Sequence, residues 1–299
     1  MKIARIGVLF ALVCQPVGAV WAQEGLKIYI SADMEGVVGA VTGEQLGPSG
    51  FEYERFRELM TTEVNVAIEA ARQAGATEIL VSDSHGNGQN LLLEELPQDI
   101  MVVRSWPRPL MMMEGIDESF DGVVFLGYHS STTNPKGVRA HTLSSANLTA
   151  VRLNGILMSE AGLNAAIAGH FEVPVIMISG DDAIVEEARA LLGDVEGAVV
   201  KWANSFHSAK TLMPGAAFKV IADAVKAAVG RIGDFEPYVL APPIELEISF
   251  KNYRPPQLLA YLPIVDRVDS HTIRYMADNM IEVSKFLEFA LSYEVSLAP

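Results

Sequence analysis

Short apolar runs alternate along the chain with longer stretches of helical period. Leu26-Lys27-Ile28-Tyr29-Ile30 is rich in β-formers and stops at Ser31, and the segments 78–81, 100–103 and 123–126 repeat that form. Between the first two, Phe56, Met60, Val64, Ile68 and Ala71 fall on one stripe of a predicted helix over 53–73, which Gly75 ends. Residues 36–50 are glycine-rich and read as loop. Short strands joined by helical crossovers predict a mostly parallel sheet covered on both faces.

Farther on, apolar segments at 151–153 and 156–158 flank Asn154-Gly155, a tight-hairpin signal. Ser159 is placed to N-cap a helix reaching Gly169. A strand is expected over 173–178, a helix over 182–192 closed by Gly193, and another helix from Pro214 to about Val229. Residues 238–243 form a proline-containing linker. Beyond it come a strand (245–250), a helix (256–261), a strand (272–276) and a long final helix. The expected class is α/β: a Rossmann-like metal-binding unit over 23–237 with helices on both faces of its sheet, and a smaller C-terminal α+β part over 238–299.

The N-terminus departs from this alternation. Lys2 and Arg5 precede an apolar run over 6–14, and Val20-Trp21-Ala22 presents a small residue just before Gln23. That run is too short to span a bilayer as a mature helix. We therefore expect a secretory signal cut after Ala22 and a secreted or periplasmic protein; the alternative is a retained anchor. A lipoprotein reading at Cys14 is disfavoured by the bulky Val13 before it. Cys14 is the only cysteine, so the mature chain has no disulfide and no thiol ligand or nucleophile. Zinc fingers, iron–sulfur clusters and cysteine-protease chemistry are excluded, and any metal must be held by His, Asp and Glu. The net charge of −15 deepens to −17 once the two cations Lys2 and Arg5 leave with the signal. Such an acidic surface argues against nucleic acid and anionic lipid as partners, so no membrane partner is expected.

Polar residues able to bind metal stand where the apolar strands end, the edge at which open α/β sheets build sites. Asp33 and Glu35 follow the first strand, two apart, so in extended backbone both carboxylates face one way. Two acids this close repel unless a cation lies between them; the plain alternative is a solvated loop. His85 follows the second strand, with Asp83 able to orient its ring; a Ser/Asp turn with a bystander imidazole is the other reading. His129 ends the strand at 123–126, and His141 comes twelve residues later. Glu160 opens the helix after the hairpin, where the helix dipole would favour an acid in any protein. His170, His207 and His271 carry no such placement. Spacing alone does not bring these groups together, but Asp, Glu, His, His and Glu are the donors of a two-metal hydrolytic site.

The segments Ser31-Ala32-Asp33-Met34-Glu35-Gly36, Ser82-Asp83-Ser84-His85, Phe125-Leu126-Gly127-Tyr128-His129, His141 and Glu160-Ala161-Gly162-Leu163-Asn164-Ala165 resemble the D-aminopeptidase family of bacterial dipeptide-transport operons. The resemblance runs from about residue 26 to the C-terminus. It implies an α/β dizinc metallopeptidase acting on short peptides and assembled as a ring-like homo-oligomer, a decamer. It also implies that Asp33 bridges two zinc ions, that Glu35, His85, His129 and Glu160 complete the ligand set, and that His141 is catalytic. Ser179-Gly180-Asp181-Asp182 matches a family segment at the same edge. The family enzymes are cytoplasmic, whereas this chain carries an export signal, which leaves the natural substrate open. Other readings of the residues are a different dimetal amidase or phosphoesterase, though no basic cluster adjoins the strand ends, and an exported peptide-binding protein without catalysis.

Overall fold

The computed structural model describes residues 25–292, so the expected signal and its cut after Ala22 lie outside the described residues. The chain runs through β1 (Leu26–Ala32), α1 (Tyr53–Gln73), β2 (Ala76–Asp83), β3 (Met101–Val103) and β4 (Gly122–Tyr128). A hairpin of β5 (Leu148–Leu153) and β6 (Ile156–Leu157) leads into α2 (Glu160–His170), β7 (Val175–Asp181), α3 (Asp182–Leu192), β8 (Glu196–Ser205) and β9 (Ser208–Thr211). Then come α4 (Pro214–Gly230), β10 (Ile244–Phe250), α5 (Arg254–Leu259), β11 (Val265–Arg267), β12 (Thr272–Ala277) and α6 (Met280–Ser292).

Seven strands form one sheet in the order β3-β2-β1-β4-β7-β8-β9, parallel except where β9 turns back on β8. The other five form an antiparallel sheet, β11-β12-β10-β5-β6. The α/β class and mostly parallel sheet expected from the pattern are what the chain adopts. The second sheet draws strands from both sides of residue 237: the hairpin β5–β6 pairs with β10.

β1 shows why the pattern reads as it does. Ile28, Ile30 and Ala32 point to a core shared with α1 and α4, whereas Tyr29 points to the opposite core, shared with α2, α6 and the second sheet. A strand buried on both faces has no polar side to alternate with. In α5, Pro255 and Pro256 occupy the first turn, where a missing N–H costs nothing, so the helix starts earlier than its apolar residues suggest. β1 lies between β2 and β4, and the strand order runs outward from it in both directions. That is the topological switch point at which an open parallel sheet leaves a crevice beyond its carboxyl ends.

Candidate metal centre

All six sequence-derived site residues line one cavity of about 340 Å³ at this crevice. Asp33 follows β1 directly and Glu35 lies in the turn after it; His85 and His129 lie just past β2 and β4. Glu160 is the first residue of α2, whose N-cap Ser159 accepts from the Gly162 amide. Asp33, Glu35, His85, His129 and Glu160 are each at most 7% exposed.

Two glycines let the ends of β1 and β4 meet. Asp33 N donates to Leu126 O at 2.8 Å and Gly36 N to Gly127 O at 2.6 Å. A Cβ on Gly36 would lie 2.1 Å from Tyr128 O; one on Gly127, whose φ is +68°, would lie 2.2 Å from Asp33 O. Only glycine tolerates either position. Beneath the site, Ser31 Oγ contacts Ser84 Oγ at 2.8 Å and Tyr128 Oη at 2.7 Å, and Asn164 Nδ2 donates to Tyr128 Oη at 2.9 Å. This network ties β1, β4, α2 and the residue just past β2 together directly below the cluster.

Each imidazole turns one nitrogen outward to a main-chain carbonyl and the other inward to carboxylates. His85 Nε2 meets Leu46 O at 2.7 Å, while its Nδ1 lies 3.1 Å from Asp33 Oδ1 and 2.8 Å from Glu35 Oε2. His129 Nδ1 faces Ser130 O at 3.1 Å, and its Nε2 lies 3.4 Å from both Asp33 Oδ2 and Glu160 Oε1. His141 Nδ1 donates to Arg139 O at 2.8 Å, and its Nε2 is 3.8 Å from Glu160 Oε1. An imidazole whose proton is held by a carbonyl aims a lone pair from its other nitrogen, the arrangement of a metal-ligating histidine. Buried Asp33 Oδ2 and Glu35 Oε2 have no hydrogen-bond partner; the 2.8 Å approach of Glu35 Oε2 to His85 is out of line for one. Lone pairs facing orphaned carboxylate oxygens leave room only for positive charge, and oxygen with imidazole nitrogen suits zinc. Ligand atoms of Asp33, Glu35 and His129 converge within 4.8 Å, as do those of His129, His141 and Glu160.

Electrostatics tell the same story. Burial, and then the Glu35 charge, push Asp33 up to about 7. Burial would raise Glu35 as well, but the adjacent His85 outweighs it and holds Glu35 well below the usual carboxylate range. Burial opposes charge on the imidazoles; even so, Glu35 and Asp33 carry His85 well above its ordinary value, and Glu160 and Asp33 carry His129 up to about 10. Without a metal, the carboxylates recruit protons onto the histidines. His141 differs: burial and then the His129 charge lower it, so it stays neutral. Its ring stacks on His129 with centroids 4.0 Å apart.

Two local expectations change. Asp83 does not orient His85: its carboxylate accepts from Asn90 N, Asn90 Nδ2 and Leu91 N at 2.6–2.8 Å, which uses it to fold the following turn. Asp33 and Glu35 converge through a turn and not through extended backbone. Ser179 Oγ accepts from Gly127 N at 2.9 Å, and Asp181 caps α3 while accepting from Val138 N, so the 179–182 segment braces the edge. Sequence reasoning missed Glu288 of α6, which lines the same cavity, and buried Lys201 of β8. The first has no local motif, and the second lies on a strand whose mixed polar pattern hid it.

The D-aminopeptidase family model matches residues 26–289. A D-aminopeptidase of Bacillus subtilis (strain 168) is 34% identical over 263 residues, 86% of this chain and 93% of that protein. The solved structure of the Zn-dependent D-aminopeptidase DppA from Bacillus subtilis, described as a self-compartmentalizing protease, superposes with a TM-score of 0.86 at 31% identity, over 91% of this chain and 99% of that one. Matched over nearly all its described length, this chain belongs to the D-aminopeptidase family.

Proposed function

We propose that this chain is a zinc-dependent aminopeptidase with two zinc ions per chain, removing the N-terminal residue, D-residues included, from short peptides. The observation that carries this reading is the set of inward imidazole nitrogens facing orphaned carboxylate oxygens. Asp33 presents Oδ1 toward His85 and Oδ2 toward His129, so it would contribute to both metal sites. Glu35 and His85 would complete one metal site, His129 and Glu160 the other. Zinc supplies a Lewis acid and lowers the pKa of bound water toward about 7. His141, neutral and with Nε2 unclaimed by a carbonyl, would take or return a proton as the amide is cleaved. Among the described residues, Glu288 is the one cavity-lining carboxylate outside the ligand cluster, and it would hold the substrate's free ammonium. Trp106, Met111, Met112, Leu143 and Leu291 supply apolar walls for side chains.

The relative's self-compartmentalizing description supports a closed homo-oligomer for this chain too, with a decameric ring as the size to test. Exposed Tyr253, Tyr261, Ile264 and Val268 offer apolar contact surface for it. Export would place the enzyme beside peptides containing D-residues outside the cytoplasm. The direct test is release of D-Ala from D-Ala-D-Ala by the purified zinc-loaded protein, with zinc counted per chain. Absence of turnover at full zinc occupancy would sink the aminopeptidase reading, and about one zinc or fewer per chain would sink the two-metal site.

A further inference from the structure

Lys201 is fully buried in the middle of β8, opposite Asp181 of β7 and Thr211 of β9. Its Nζ donates to Glu35 O at 2.5 Å, Ala40 O at 2.6 Å and Val37 O at 3.1 Å. An ammonium has three donors and no acceptor, and here all three go to a single turn. The amides of that turn are held from other elements: Val38 N donates to Glu63 Oε1 of α1 at 2.9 Å, and Gly39 N to Thr211 Oγ1 at 3.1 Å. The segment 35–40 therefore hangs from a cation on one side and a buried carboxylate on the other. Burial lowers Lys201 to about 8 and raises Glu63 to about 7, so the fold gives up the solvation of both groups to hold this turn. A methionine of similar length would fill the same slot without that cost. What only lysine brings is a charge with three diverging donors.

We propose that Lys201 is a positioning residue of the metal centre: it gathers the 35–40 carbonyls as a bound monovalent cation would, and so fixes the Glu35 carboxylate against His85 and Asp33 before any metal enters. The inference rests on the zinc reading above. Glu35 is the ligand that depends on it most, because its own backbone carbonyl is one of the three acceptors and its side chain has no hydrogen-bonded anchor at Oε2.

The experiment compares wild type with K201M, which removes both charge and donors, and K201Q, which keeps two donors without the charge. Zinc affinity is measured by chelator competition, and hydrogen exchange of residues 33–41 is followed in the metal-free proteins. We expect zinc affinity to fall about 10–100-fold in K201M, the range for losing a group that orients a ligand, with K201Q between it and wild type. Exchange over 33–41 accelerates while the helices keep their protection. Wild-type zinc affinity in either folded variant overturns the proposal, whatever the turn does. If K201M does not fold, K201Q decides. If wild type binds no zinc, the zinc reading fails on its own, and the exchange comparison alone decides whether Lys201 fixes the turn.

Discussion

An imidazole divides its work between two nitrogens, and the three histidines here make the same division with different outcomes. His85 and His129 are drawn toward protonation by the carboxylates around them, so a metal must displace protons to bind. Raising pH removes that competition. Zinc affinity is therefore expected to rise with pH throughout the range below the His129 value of about 10. Calorimetry in buffers of different ionisation enthalpy should show proton release at neutral pH, and zero release would contradict the charge state described. His141 titrates the other way: its lowered pKa keeps it neutral, and kcat is expected to hold down to below pH 6.5 and fall as the ring protonates. Replacing His141 by Ala should cost about 10²–10⁴-fold in kcat with both zinc ions retained. Zinc loss would instead make it a ligand, since its Nε2 lies within reach of the Glu160 site. The proposed ammonium-binding role of Glu288 is tested at the substrate end. E288Q should raise KM for free-amine dipeptides by about tenfold or more, the equivalent of a charged hydrogen bond of roughly 1.5–3 kcal/mol, while zinc content stays the same; an unchanged KM would remove it from amine recognition.

Elements matter here for where they stop. The strand ends of β1, β2 and β4 place Asp33, His85 and His129 by topology, and those three were legible because each is a polar residue closing an apolar run. Glu160 was legible as a helix N-terminal acid, though nothing in its spacing told that α2 packs back against β4. What stayed hidden depends on contacts distant in sequence. Lys201 lies 166 residues from Glu35, and β8 carries the polar Lys201, Asn204 and Ser205 on a strand flanked by antiparallel β9. Its burial follows from three carbonyls that no local pattern announces. Asp83 shows the opposite error: a nearby acid looked like the partner of His85, but the turn at 90–91 consumed it first. The close approach of β1 and β4 gives a prediction at this scale. G127A must adopt a left-handed φ and meet Asp33 O at 2.2 Å; the backbone conformation alone costs about 1–3 kcal/mol. Urea unfolding of metal-free G127A should show at least that loss, whereas G233A, with open space around its Cβ, should change little.

Across the whole molecule, charge and apolar surface pull in opposite directions. The chain carries a net charge of −15, which repels a second copy at long range. Yet Tyr261 is 74% exposed, Ile264 62% and Tyr253 59%, all in the part that adds the second sheet to the core. Burying such residues between copies gains about 25 cal/mol per Å² of apolar area, a short-range term that salt does not screen, while the repulsion is screened over a Debye length of about 10 Å at 0.1 M. If assembly is driven by these contacts, added salt should strengthen it. Sedimentation velocity is expected to show a closed homo-oligomer that becomes more populated, not less, as ionic strength rises from about 0.02 to 0.5 M. I264D, which puts a further negative charge into that surface, should shift the distribution toward smaller species without lowering zinc content, since Ile264 lies outside the cavity that holds the cluster. A monomer at every ionic strength would end the assembly proposal, and an oligomer that salt dissociates would mean that ion pairs, not the apolar surface, hold it together.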